Sequence, residues 1–160
     1  MDVTTIEISE LEIIIKKALE EIDLEEWEDQ TGKLIGGIVL KENNKILLEP
    51  MCCGDLENTK NWEHIFETEI GKWTQLWIGH PWVYYKRNNG MIDFSDYTES
   101  NLEELNDIKT AFSVSETDLR LEIQKIRQQH NELELSISHI LEKLKVPNPK
   151  QMAKQMAGNL

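Results

Sequence analysis

The stretch WTQLWIGHPWVYYKRNNGMIDF, residues 73–94, decides the fold class. Aromatic and β-branched residues dominate it, the composition that suits a pleated, half-buried surface. Gly79-His80-Pro81 interrupts the run, which therefore reads as one strand over 73–78 and a second over 82–87. Asn88-Asn89-Gly90 is a hairpin turn, because Asn and Gly accept positive φ at little cost. Met91, Ile92 and Phe94 form the returning strand. If Trp73 faces one side, Gln75 and Trp77 share it, while Leu76 and Ile78 face the other. Both faces are rich in apolar residues, so both are expected to be covered.

Upstream, the chain alternates helix and hairpin signals. Ser9 and Glu12 fit a capping box, and Leu11, Ile14, Ile15, Ala18, Leu19 and Ile22 recur at helical spacing. This predicts an amphipathic helix over residues 9–28, stopped by Thr31-Gly32. Apolar runs either side of Asn43-Asn44 predict a second hairpin over residues 33–50, ended by Pro50. Residues 51–54 connect it to a short helix over 59–68 carrying Trp62, Ile65 and Phe66, and Gly71 breaks that helix.

Downstream, Ser100 and Glu103 suggest another capped helix running to residue 112, with Leu102, Leu105 and Ile108 inward. The strongest periodic signal follows. Leu119, Ile123, Ile126, His130, Leu133, Ile137, Ile140 and Leu144 alternate at spacings of four and three, the a/d pattern of a helical seam. Ser115 is placed to cap this helix. A helix of this length either folds back on the chain's other helices or pairs with a second copy. Charging His130 inside such an interface would weaken association at low pH. Val146-Pro147-Asn148-Pro149 stops the helix, and the tail carries a short helical pattern through Met152, Ala153, Met156 and Ala157 that is free to fray. The expected organisation is an α+β domain over residues 1–114, with a mostly antiparallel sheet of four or five strands packed by helices. The long amphipathic helix over 115–145, packed on it or dimerising, and a tail over 146–160 follow.

Composition narrows the function classes. The 160 residues are 39% hydrophobic and 29% charged, with a net charge of −13. That is a globular composition, and no run approaches the roughly 20 apolar residues needed to span a bilayer. No basic region precedes an apolar run at the start, so no secretory signal is expected. The cytoplasm is the expected compartment. The acidic field repels phosphates and anionic lipid and attracts basic proteins. Residues 1–30 alone hold eleven acids against two lysines. Nucleic acid and membrane are therefore not expected partners, and another, basic protein is. Phosphate-binding loops, dinucleotide fingerprints, zinc-protease motifs and nucleophile elbows are all absent.

Three groups of residues could carry chemistry. Cys52 and Cys53 are adjacent, with His64, His80 and Asp55 as further potential zinc donors. The spacing does not match familiar zinc sites, and neighbouring cysteines usually point apart, so the two are expected to be buried structural residues ahead of metal ligands or a reactive thiol. A vicinal disulfide misses the usual Cα separation, so two free thiols in a reducing compartment are expected. Cys52 or Cys53 with His80 as base would be the core of a thiol enzyme, although the surroundings are acidic. Asp93, Asp96 and Glu99 flank Tyr97. Such carboxylates run acid/base chemistry or hold a hard cation, or they simply decorate a turn and a helix start. Finally, Trp77 and Trp82 flank the Gly-His-Pro bend. These rings either fill the core or anchor a protein interface, where Trp and Tyr are favoured.

Small acidic α+β chains with a tryptophan-rich sheet are similar in size and charge to bacterial toxin-neutralising (immunity) proteins. That resemblance implies a non-enzymatic binding protein that neutralises a cationic partner. Trp77, His80, Trp82, Tyr84, Asp93, Asp96 and Tyr97 are the expected contacts. No catalytic residue, metal or cofactor is assigned. The competing readings are a coiled-coil adaptor that forms a homodimer through the long helix, and a thiol- or zinc-dependent enzyme built on Cys52, Cys53 and His80.

Overall fold

A computed structural model describes residue 3 and residues 5–159. Met1, Asp2 and Thr4 of the acidic N-terminal stretch, and Leu160 at the end of the expected tail, lie outside the described residues. In chain order the elements are α1 (Ile8–Leu19), α2 (Trp27–Gln30), β1 (Leu40–Glu42), β2 (Lys45–Leu48), α3 (Thr59–His64), β3 (Trp73–Leu76), β4 (Val83–Asn88), β5 (Met91–Phe94), β6 (Phe112–Ser115), α4 (Glu116–Lys143) and α5 (Pro149–Met156). The fold is α+β, with a two-stranded sheet β1-β2 and a four-stranded sheet β3-β4-β5-β6, antiparallel throughout. Internal contacts divide the chain into two units. One holds the residues up to Leu34 together with Lys125 onward, and the other is Ile35–Gln124. The boundary between Gln124 and Lys125 falls within the long helix α4.

In the sheet unit, local backbone chemistry sets both hairpins. Asn43 (φ 50) and Asn44 (φ 64) turn β1 into β2, and Asn89 (φ 49) with Gly90 (φ 81) turns β4 into β5. Two consecutive left-handed residues make the turn whose twist matches the flanking strands. Leu76, Val83, Tyr85, Ile92 and Phe94 are buried, and Phe94 stacks on Phe112 with ring centroids 5.2 Å apart. At β3 only one face is covered. Leu76 and Ile78 are buried, whereas Gln75 and Trp77 are exposed, so the expectation of two covered faces does not hold at this edge strand.

The expected helix over 100–112 is not formed. Residues Leu102–Glu104 make a single 3-10 turn, in which the Glu104 carboxylate accepts from Asn101 N–H at 3.0 Å. The chain then enters β6, which pairs with β5 from Met91↔Ser115 to Phe94↔Phe112. Pairing with a distant strand overrides the weak helical period of Leu102, Leu105 and Ile108. Ser115 ends that strand and caps α4, its hydroxyl accepting from Asp118 N–H at 3.3 Å. Arg87 on β4 ties the first turn of α4 down, with Nη2 2.8 Å from Glu116 Oε1 and Nη1 donating to the Thr68 carbonyl at 2.8 Å.

In the helical unit, α1 is shorter than the expected 9–28. Its N-cap is Glu7, whose N–H donates to the Glu10 carboxylate at 3.1 Å, rather than Ser9. It ends after Leu19 for two reasons. Lys16 and Lys17 suit a C-terminus, whereas Glu20, Glu21 and Asp23 oppose the negative end of the helix dipole. Asp23 also captures the Glu25 N–H at 2.9 Å, a side-chain bond that competes with helix. A one-turn helix, α2, buries Trp27.

Leu133, Ile137, Ser138, Ile140 and Leu141 of α4 are buried within the single chain. This stripe is wider than a two-position seam, and its width suits a helix that packs against more than one neighbour. The neighbours are α1, through Lys143 and Glu12, and the residues that close α5, through Asn159 and Glu134 and through His130, whose Nε2 donates to the Ala157 carbonyl. His130 is thus a packing residue that binds its own chain. Of the remaining seam positions, Leu119 and Ile123 are buried, and Ile126 and Leu144 are half-buried.

The tail is not a fraying end. Lys145 (φ 58) closes α4, with Val146 N–H bonded to the Leu141 carbonyl at 3.0 Å and Lys145 N–H to that of Glu142 at 3.0 Å. That pair of bonds is a Schellman motif, and Gly158 repeats it at the end of α5. Met152, Ala153, Met156 and Ala157 are fully buried. Gln155 donates to the carbonyls of Glu28 and Thr31 at 3.0 and 2.8 Å, and Leu34 N–H donates to the Met156 carbonyl at 2.8 Å.

Candidate functional site

Within the sheet unit, three backbone segments converge on the Gly79-His80-Pro81 bend. The first is the turn Met51–Gly54, closed by Gly54 N–H donating to the Met51 carbonyl at 3.0 Å. It is laced to the bend by Met51 N–H to the Ile78 carbonyl at 2.9 Å and by His80 N–H to the Cys52 carbonyl at 3.0 Å. The second is the segment at Ile35, joined to the same turn by an isolated bridge to Asp55, with Gly36 N–H bonded to the Gly54 carbonyl at 3.2 Å. The third is the loop after β5, where Trp82 and Thr98 exchange backbone bonds of 2.9 and 2.8 Å. The His80–Pro81 peptide is cis.

The approach at Gly79 is close. A Cβ there would lie 2.6 Å from the Cys52 carbonyl oxygen and 2.7 Å from the Met51 carbonyl carbon, and φ is +107. Only glycine satisfies both conditions.

The expected contact residues separate into two groups. Trp77 is 46% exposed, with its carbonyl held by Asn61 Nδ2 at 2.9 Å. His80 is partly exposed, with Nε2 2.8 Å from Glu99 Oε2. Its ring meets Trp82 edge-on at 4.8 Å between centroids. Asp96 is exposed, and Tyr97 is half-buried with its hydroxyl accepting from Glu49 N–H at 2.9 Å and donating to the Glu49 carbonyl at 3.0 Å. Burial pushes the Tyr97 phenol up, so it stays protonated for that double bond. Of these five, His80 and Trp82 are in ring contact at the bend, Trp77 immediately precedes the bend, and Asp96 and Tyr97 belong to the loop whose Thr98 pairs with Trp82.

Tyr84 and Asp93 are not part of that surface. Tyr84 is 1% exposed, and its hydroxyl donates to the Ser100 carbonyl at 2.9 Å. Burial, then the charge of Glu104, pushes its phenol up. Asp93 is 7% exposed and sits between cross-strand partners. Ser113 Oγ donates to it at 2.6 Å, Asn88 Nδ2 at 3.3 Å, and Lys86 Nζ lies 3.7 Å away. Both lie on the sheet face opposite Val83, Tyr85 and Phe94, and there the loop carbonyl of Ser100 and the cross-strand Ser113 cover and hold them.

The thiols hold a further departure from expectation. Cys52 and Cys53 do not point apart; their sulfurs stand 3.4 Å from each other, and both residues are exposed, against the expected burial, because they form the corners of a surface turn. The hydrogen bond and the charge of Cys52 push the Cys53 thiol up. The His80 imidazole faces Glu99, and among the described residues the only side-chain partner of the Cys52 sulfur is Cys53. His64 pairs with Glu67 at 3.1 Å. No group of three or more His, Cys, Asp or Glu residues able to hold a metal ion occurs among the described residues. The donors named for a zinc site are therefore not brought together.

Sequence reading missed Ile35, which is 87% exposed beside Asp55 and adds apolar surface near the same turn. Its isolation between Leu34 and Gly36-Gly37 was the available signal, since the two glycines (φ 157 and 151) release the chain from an ordinary strand.

Comparison of the chain with protein-family models, with curated proteins and with solved structures finds no match. No helix among the described residues is long and apolar enough to cross a membrane.

Proposed function

We propose that this chain is a non-enzymatic protein-binding module with a basic protein as its partner, of the kind in which a small acidic protein neutralises a cationic toxin. The observation that carries this reading is Trp77. It is a large ring, nearly half exposed, on a bend whose backbone is fixed by Asn61, Met51 and Cys52. A rigid, exposed tryptophan loses little entropy on binding and buries a large area, the properties of an interface anchor. Asp96 and Glu99 carry negative charge on the adjoining loop, and the net charge of −13 speeds encounter with a cation.

The test is affinity capture from native lysate at low and high salt, with wild-type and Trp77→Ala bait. The reading expects a basic protein, captured at low salt and lost with Trp77→Ala. Recovery of the chain alone at every salt concentration overturns it.

A further inference from the structure

Cys52 and Cys53 occupy the two corner positions of the turn Met51–Gly54, closed by a 3.0 Å bond. Cys53 has φ +68, the left-handed value that a type II turn requires at its second corner. Glycine or asparagine normally takes that position. Neighbouring side chains of an extended chain point to opposite faces. The left-handed residue instead swings the second Cβ round, and the two sulfurs converge to 3.4 Å at the surface. The turn is held in place by Ile78, His80 and Gly36, and Gly79 is pressed against its carbonyls. A backbone outlier that its surroundings enforce is a reasonable starting point for a functional hypothesis.

We infer that Cys52 and Cys53 form a vicinal dithiol site that binds one trivalent, thiophilic metalloid centre of the arsenic(III) type between their sulfurs. The geometry selects this class over the other partners of paired thiols. An atom bonded to both sulfurs at about 2.3 Å, a usual metal–thiolate length, subtends roughly 95° across the 3.4 Å gap. That is near the right-angled bonding of a trivalent centre with a lone pair. Tetrahedral zinc wants a wider angle and two more protein ligands, and no such cluster exists among the described residues. A direct disulfide fits worse. Its sulfurs would have to close to about 2.05 Å while the Cα atoms stay about 3.8 Å apart, below the usual range. An inserted atom enlarges the ring and leaves the turn where it is.

With a monosubstituted arsenical such as phenylarsine oxide the step balances without an oxidant. Two S–H bonds and the arsenic–oxygen bond break, and two As–S bonds form. The oxygen leaves as water with both thiol protons, and arsenic remains trivalent. The site stands independently of the protein-partner reading, because it needs only the two sulfurs.

The experiment treats the reduced, native full chain with phenylarsine oxide and follows intact mass together with thiol titration. The expected result is one arsenical per chain with both thiols lost together. Glutathione in excess, a monothiol, leaves the adduct, and dithiothreitol removes it. Cys52→Ser and Cys53→Ser each leave one As–S bond, so glutathione strips both variants. Both positions are exposed, and a thermal melt checks that the variants fold. Urea-unfolded wild type keeps adjacent thiols but loses the turn, and it should release the arsenical to glutathione about tenfold faster than the native chain, since preorganised sulfurs raise effective concentration. Absence of an adduct on the native chain overturns the inference. So does retention by the single-cysteine variants or by the unfolded chain that equals the native chain's.

Discussion

Glu12 on α1 and Lys143 on α4 stand 2.7 Å apart, carboxylate oxygen to ammonium nitrogen. Lys16 lies at 2.7 Å on the other oxygen. The Lys143 hydrogen bond first, and then that of Lys16, lower the Glu12 carboxyl from the ordinary 4.5 to about 2. A depressed folded-state value means stability that is present above the unfolded value and lost as pH falls through the folded one. The loss therefore falls between about pH 4.5 and pH 2. We expect Glu12→Gln to flatten the acid side of the stability–pH curve in that window, and added salt to shrink the wild-type slope. Chemical denaturation at stepped pH measures both. Equal slopes for wild type and variant would mean the two lysines do not favour the ionised carboxylate.

The last helix should be as costly to damage as any core element. Met156 is fully buried at the end of α5, and its carbonyl accepts the Leu34 N–H. Truncation of a buried methionine to alanine typically costs about 2–5 kcal/mol. We expect Met156→Ala, and likewise Met152→Ala, to lower the denaturation midpoint by that amount, with Lys150→Ala on the exposed side nearly neutral as the control. A Met156→Ala loss under about 0.5 kcal/mol, the size of an ordinary surface change, would contradict the burial.

How far the sequence foretold these elements depended on how local each determinant is. Asn43-Asn44 and Asn89-Gly90 were legible because a two-residue turn is decided by its own φ angles. Ser115 was legible as a cap for the same reason. The strand Phe112–Ser115 was not, because its determinants lie on β5. The Asp93–Ser113 bond and the stacking of Phe112 on Phe94 exist only once the chain has returned to the sheet. The tail was underestimated because a short helical pattern carries little signal until Gln155 and Met156 find partners over a hundred positions away. At the site, Trp77 and His80 stood out by composition alone. The convergence of Cys52 and Cys53 did not, since it rests on one unusual φ in a turn held by segments distant in sequence.

Arg87 and Glu116 should behave as a coupled pair. The guanidinium bridges the Thr68 carbonyl and the Glu116 carboxylate, and both side chains are mostly covered. Losing a charge-assisted bond that leaves its partner unsatisfied costs about 1.5–3 kcal/mol. We expect Glu116→Gln and Arg87→Ala each to destabilise within that range, and the double variant to fall short of the sum by at least about 0.5 kcal/mol. Arg87→Lys should not restore the wild type, because an ammonium cannot span both acceptors with a planar fork. Strict additivity in the cycle would show that the two side chains do not depend on each other.

The binding reading separates affinity from stability at Trp77. Its ring is partly in solvent, so Trp77→Ala should change folding stability by less than about 1 kcal/mol. An interface anchor of this type, by contrast, carries about 2 kcal/mol or more of binding free energy, roughly a thirtyfold change in Kd. Tyr84→Phe should show the reverse pattern, because its hydroxyl serves only the Ser100 carbonyl. Titration calorimetry against the captured partner, alongside thermal melts, reads both quantities. Unchanged affinity for Trp77→Ala removes it from the interface.

Gly79 and Gly71 make a controlled pair. Both have positive φ, +107 and +84, but a Cβ on Gly71 meets nothing within 4 Å, whereas one on Gly79 runs into the carbonyls of Met51 and Cys52. Alanine at either position incurs the left-handed backbone cost of about 1–3 kcal/mol. Only at Gly79 must backbone also move, since the obstructing atoms belong to a carbonyl group and not to a flexible side chain. We therefore expect Gly79→Ala to destabilise well beyond Gly71→Ala. We also expect it to raise Trp77 fluorescence mobility, because the bend that holds the ring is pushed off the turn. If the two alanines cost the same, the Met51–Gly54 turn is not seated against the bend, and the convergence of the two sulfurs loses its support.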